Sequence, residues 1–351
     1  VPYFIRSIKE KGEIVQTKKI TKQLHYKQAT FLQPVDITLQ DMLRRALHKL
    51  KVIDRQETIS EYAVDRSGEV TQQWLRFINS PRKSAGFQFG TIVSYSSSVH
   101  HLAIEIALDK EKDEVDVSKI PPPEGQTFIE TPLYFAIRDN HVVIIQSTSL
   151  RADAFRRHLN WLLRAAGVFQ DNQSLELDDT IPEETKKKMG KNPVKSITLQ
   201  APFFETAAAP VASRTQPGVI EKFKVATGMG LDLLKGVLTK QQFEGLRTDQ
   251  MQDVPDVQVK LEIKIVGKKK ENKSADQSIM RDIMKTMQHI ENADAVNAEV
   301  EGVGTIKGTH MRVHDHRGIL SIDGVLNTSD AYETMRSWLE HLLSSGSVRA
   351  D

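Results

Sequence analysis

The sequence predicts an α+β fold of two related halves, each an antiparallel sheet in which a hairpin is followed by a helix, with helices packed on the sheet. Three observations carry this reading. Turn residues join β-rich runs at two places, Asp139-Asn140 and Asp315-His316-Arg317-Gly318. Each hairpin leads into an amphipathic run, and the two runs match without a gap: Asp153-Ala154-Phe155 falls on Asp330-Ala331-Tyr332, and Trp161-Leu162 on Trp338-Leu339. Upstream of each hairpin, an earlier amphipathic helix and an alternating strand occur in the same order.

In chain order, "ITLQDMLRRALHKLK" from Ile37 turns Leu43, Leu47 and Leu50 to one face and predicts a helix. "LAIEIAL" from Leu102 alternates as a strand. "PLYFAIR" and "VVIIQS" flank the first turn, and Phe155, Leu159, Leu162 and Ala166 then recur at helical spacing, with Gly167 as the stop. The polar, charge-rich stretch from Asp171 to Lys195 reads as a linker between the halves. In the second half, "GLDLLKGVLTKQQFEGL" from Gly230 predicts a helix and "VKLEIKI" from Val259 a strand. "THMRVHD" and "ILSIDG" flank the second turn. Thr328 or Ser329 caps the last helix, whose Ala331, Met335, Leu339 and Leu342 face inward, and Gly346 ends it. The halves are thus residues 1–180 and 181–351, the second carrying an inserted helix near 275–291. That helix aligns Met280, Ile283, Met284, Met287 and Ile290 on one side, as core or as a subunit interface.

Composition narrows the function classes. Lysine and arginine number 48 against 46 aspartates and glutamates, so basic character, where present, is local. Cysteine is absent, which excludes disulfides, thiolate metal sites and a cysteine nucleophile and fits a reducing compartment. No apolar run approaches the roughly 20 residues of a membrane span, and "VPYFIRSIKEKGE" turns polar too early for a secretory signal, so a cytoplasmic protein without a membrane partner is expected.

Catalytic motifs give no positive case for an enzyme. The glycines of "GVGTIKG" and "ATGMGLDLLKG" fit neither the phosphate-loop nor the dinucleotide pattern. Asp256, Glu262 and Lys264 have the residue types of a metal-dependent nuclease, yet on one strand the two carboxylates lie about 20 Å apart. His310, His314 and His316 alternate with Arg312 as on one strand face, and a His-x-His pair about 7 Å apart suits a metal. The turn at Asp315–Gly318 splays these side chains and no acidic ligand completes the set. A polar surface is the reading, with no metal or cofactor.

Basic segments give the better lead. Lys18, Lys19, Lys22 and Lys27 surround Tyr26; Arg44, Arg45, His48 and Lys51 lie on the polar side of the first helix; Arg82 and Lys83 sit in a loop. Arg157, Asn160 and Arg164 follow a three-then-four spacing on the first repeat helix, beside Arg156, whereas the second repeat helix has Thr334, Ser337 and His341 there. Lys268, Lys269 and Lys270 extend the set. Side chains so spaced suit phosphate contacts that neutralise a backbone without reading bases.

The layout of "YFAIRDNHVVIIQS" with its following helix, and its later counterpart, resembles the recombination-associated RdgC proteins and the phage exclusion protein RexA. The resemblance implies a non-enzymatic homodimer that binds DNA without sequence preference, in phage defence or genome maintenance. The expected nucleic-acid-binding residues are Arg44, Arg45, Arg82, Lys83, Arg156, Arg157 and Arg164, with Lys268, Lys269 and Lys270. The alternatives are a subunit that engages a protein partner and the nuclease.

Overall fold

The computed structural model describes residues 6–10, 13–65, 68–96, 101–104, 117–202, 258–265, 277–280, 282–284 and 295–348. The chain divides into two compact units, one of Val1–Thr180 with Arg312–Asp351, the other of Ile181–Met311.

The first unit begins with β1 (Arg6–Glu10), the long β2 (Glu13–Phe31), α1 (Leu39–Lys49), β3 (Glu57–Asp65), β4 (Gly68–Ser84) and β5 (Phe87–Tyr95). A short pair, β6 (His101–Ile104) and β7 (Val117–Ile120), precedes β8 (Leu133–Arg138), β9 (His141–Ile145), α2 (Ala152–Ala165) and β10 (Leu175–Asp178). In the second unit α3 (Glu183–Lys191) leads to β11 (Val194–Pro202), β12 (Gln258–Lys264), β13 (Val296–Val300) and β14 (Gly304–Lys307). The chain then returns to the first unit with β15 (His314–Ile322), β16 (Val325–Leu326) and α4 (Thr328–Ser344).

Ten strands of the first unit form one sheet with the path β16-β15-β2-β9-β8-β5-β4-β3, with β1 and β10 also paired to β2. Both faces of its centre are buried, and the sequence of β8 and β9 explains why. "LYFAI" and "HVVII" are apolar at every position save His141, which is itself buried and bonded to Tyr26 at 2.7 Å, so neither face of the centre can meet water. Leu133, Phe135, Ile137, Val142 and Ile144 enter a core under α1 and α2. Tyr134, Ala136, Val143 and Ile145 enter a second core under α4. Helices therefore cover both faces of the sheet.

The second copy of the hairpin–helix plan belongs to this sheet, not to a sheet of the second unit. β15 pairs antiparallel with β2, His314 opposite His25 through Ile322 opposite Thr17. The turn is also elsewhere than the sequence pattern placed it. His316-Arg317-Gly318 is interior strand, and the chain reverses at Asp323-Gly324, with φ of 48° and 84°. Asp-Gly with both residues left-handed is the two-residue turn that matches strand twist. "THMRVHD" correspondingly divides into a 3-10 turn at Gly308–Met311 and the start of β15. Asn327, rather than Thr328 or Ser329, caps α4 by accepting the Asp330 N–H at 3.0 Å.

The second unit holds a four-stranded antiparallel sheet, β12-β11-β13-β14. Residues 277–280 and 282–284 of the inserted helix are helical, and Met280 and Met284 are buried in this unit's core; Met287 and Ile290 lie outside the described residues, as does the expected helix from Gly230. The expected linker folds as β10 and α3. No described helix is long and apolar enough to cross a membrane.

Candidate nucleic-acid interface

α2 owes its place to its apolar stripe. Phe155, Leu159, Leu162 and Leu163 are fully buried, each worth about 1.5–3 kcal/mol of transfer from water. The Phe155 ring stacks on Phe135 at 4.8 Å, and Gly90 across the sheet leaves room for Phe135, since a Cβ there would stand 2.5 Å from its ring. The helix stops as the sequence predicts, at Gly167 with φ +60°. With that stripe inward, Arg157 and Arg164 face outward, whereas His158 and Asn160 are buried.

On that outer side Arg156, Arg157, Trp161, Arg164, Ser174 and Glu176 line an open cavity of about 590 Å³. Arg156 is the tethered member: it bonds Asp153 at 2.7 Å and Glu176 at 3.1 Å. Arg157 reaches Asp153 at 3.1 Å, but its side chain is 63% exposed, and so open a pair contributes about 0–1 kcal/mol. Arg164 is exposed, donates to the Gln173 carbonyl at 2.9 Å and has no carboxylate partner among the described residues. The planar fork of an arginine can match two oxygens of a carboxylate or a phosphate at once.

Asn160 departs from its expected place in the exposed stripe. It is buried, donates to the Leu175 carbonyl and accepts the Leu175 N–H, both at 2.8 Å. Its amide thereby completes the outer edge of β10 as a neighbouring strand would. Trp161 takes the position in the stripe instead. Its ring is half-buried and stacks on His158 at 5.5 Å and 26°. His158 is fully buried and meets Glu57 at 2.9 Å; burial pulls its pKa down, against the opposing pull of Glu57.

The remaining expected residues divide between the faces of the sheet. Arg44 and Arg45 lie on α1, which shares the core of α2, and Lys49 from α1 donates to the Ala166 carbonyl at the C-terminus of α2 at 2.6 Å. Arg44 is half-exposed and paired with Asp41 at 3.0 Å; Arg45 is exposed. Counting α1 and α2 together, Arg44, Arg45, Lys49 and the three arginines of α2 face Asp41 and Asp153, a formal charge of +4. Arg82 and Lys83 are exposed strand residues at the end of β4. Arg82 pairs across from Phe89, whose ring stacks on Tyr332 of α4 at 4.9 Å, so it belongs to the opposite face; Lys83, one residue on, alternates back. Lys268, Lys269 and Lys270 lie outside the described residues.

Lys27 is no phosphate contact. It is buried and joins Asp179 at 2.7 Å, while Arg312 reaches the same carboxylate at 3.2 Å. Burial lowers its pKa and Asp179 opposes that. These residues secure the point where the chain leaves the first unit and returns to it. His25, opposite His314, joins them: the two rings lie 6.5 Å apart, and His314 and His316 6.1 Å apart. His310 is separate, in the 3-10 turn. Among the described residues no three histidine or acidic groups are placed to hold a metal ion. Of the nuclease set, Glu262 and Lys264 are exposed on β12 and pair at 3.6 Å; Asp256 lies outside the described residues.

Trp161, His25, Asp179 and Arg312 are what the sequence reading missed. A tryptophan at the i+4 position from Arg157 and three before Arg164 was the available signal for the first. The other three meet only through long-range pairing about β2. The chain matches no known family model and no curated protein.

Proposed function

We propose that this protein binds nucleic acid without sequence preference, through phosphate contacts made by the helical face that carries α1 and α2. One observation carries the reading: three arginines meet at a single groove on a helix layer of formal charge +4, although the chain as a whole is at +2. Arg157 and Arg164 are the working clamps, since neither is held by a buried pair. Arg156, fixed by Asp153 and Glu176, shapes the groove and adds field. Arg44 and Arg45 extend the same layer and attract the polyanion at longer range.

The test is a salt titration of binding to fluorescently labelled DNA of mixed sequence, duplex and single-stranded. Log affinity should fall linearly with log salt. Arg157→Ala with Arg164→Ala should flatten that slope by about 1.4–1.8, two phosphate contacts' worth. Binding unaffected by salt, or by both substitutions, would remove the proposal.

A further inference from the structure

Resting on the proposed phosphate groove, the geometry points to a base-stacking site at Trp161, which makes the ligand a single-stranded nucleic acid. Arg157, Trp161 and Arg164 stand four and then three residues apart, hence on one stripe of α2. The two arginines are separated by about 10 Å along the helix axis, with the indole between them. Phosphate donors on either side of an aromatic ring are the elements of a single-strand site, in which the backbone follows charge and a base lies on the ring.

The ring is built to stay in place. His158 stacks against it, and His158 is itself fully buried and tied to Glu57. Part of the indole packs on the core under α2, and the rest lines the cavity. A platform fixed in advance loses little freedom when a base covers it. The cavity, about 590 Å³, is open to solvent, so a base splayed from a single strand can approach the ring from outside. In a duplex the base faces are already covered by their neighbours and cannot reach a ring set between two arginines. Ser174, also in the lining, offers a polar partner to a base edge without imposing one sequence, while Glu176 is engaged by Arg156.

All three tryptophans, Trp74, Trp161 and Trp338, lie in the first unit, and Trp338 is buried. The experiment therefore follows the intrinsic fluorescence of the full chain against oligothymidylate, oligouridylate, an abasic oligomer of equal length, and duplex DNA. Stacking predicts quenching by the two base-bearing single strands, little by the abasic oligomer, and weaker binding of duplex. Trp161→Leu, which keeps the apolar contact but removes the π-face, should lose the quenching and bind oligothymidylate about 5- to 100-fold more weakly, with abasic binding unchanged. The wild-type comparison of base-bearing and abasic strands stands even if Trp161→Leu fails to fold. Equal affinity for both strands without quenching overturns the stacking site; if Arg157→Ala with Arg164→Ala still weakens both, the phosphate reading survives. No binding at low salt overturns both.

Discussion

α2 and α4 cover opposite faces of one sheet, each follows a hairpin, and Asp153 and Trp161 of one stand at the spacing of Asp330 and Trp338 of the other, yet they present opposite chemistry. α2 has three arginines against Asp153, a formal +2; α4 has Arg336 against Asp330, Glu333 and Glu340, a formal −2. Arg336 is held by Glu333 at 3.0 Å and by both oxygens of Glu340 at 2.9 and 3.0 Å, whereas Arg164 has no carboxylate partner among the described residues. Trp161 lines a cavity, while Trp338 is buried in the core. Asn160 is buried against β10; its counterpart Ser337 is exposed. The inward stripes are alike because both helices must cover a sheet. The outward sides answer to no such demand, and one is net basic while the other is net acidic with its single arginine paired.

The two helices are comparable only because one sheet carries both, so the largest expected effect lies at Asp179. Asp179→Asn leaves Lys27 buried beside a neutral amide and removes the carboxylate it shares with the partly buried Arg312, and should cost about 3–5 kcal/mol in urea unfolding followed by tryptophan fluorescence. A loss below 1 kcal/mol would mean the junction does not support the sheet.

Charge reversal addresses the contrast itself. Arg157→Glu with Arg164→Glu should weaken DNA binding about 100-fold or more at low salt. Glu333→Lys with Glu340→Lys gives α4 a comparable charge without the groove at Trp161, and should change affinity by less than about 3-fold. A gain on α4 equal to the loss on α2 would show that charge alone decides, without the groove.

A smaller effect separates Asn160 from Ser337. Asn160→Ala strips two hydrogen bonds from the β10 edge and should cost about 1–3 kcal/mol; Ser337→Ala should stay within about 0.5 kcal/mol. The same unfolding experiment reads both.

The last concerns acid. Burial first, then Lys27, His314, Arg312 and His316, hold the His25 pKa at about 4. The folded chain keeps this imidazole neutral while the unfolded chain protonates it below about 6.5. The resulting stability is present above that pH and is lost as pH falls towards 4, by about 1–3 kcal/mol. His25→Gln should flatten the thermal midpoint over this window, leaving the like-signed slope from His158. An unchanged slope would place His25 in a solvated setting.

Periodicity made the helices legible. Leu43, Leu159 and Leu339 recur on faces that are indeed buried, and Gly167 and Gly346 end their helices with positive φ. Three kinds of feature stayed hidden. Strand partners far apart in sequence, such as Thr17–His25 with His314–Ile322, leave no mark on either segment alone. The turn was misplaced because His316-Arg317-Gly318 is polar, although Asp323-Gly324 carried the stronger hairpin signal. Site residues were judged by spacing on an ideal helix, and spacing alone does not tell Asn160, drawn in by the unpaired edge of β10, from Trp161 beside it.

In the function proposed, the outer side of α2 holds a polyanion. Its most direct test is the salt dependence of DNA binding by the intact chain and by Arg157→Ala with Arg164→Ala. A linear decline in log affinity with log salt, flattened by about 1.4–1.8 in the variant, is the predicted result. Superimposable titrations of the two proteins would contradict it.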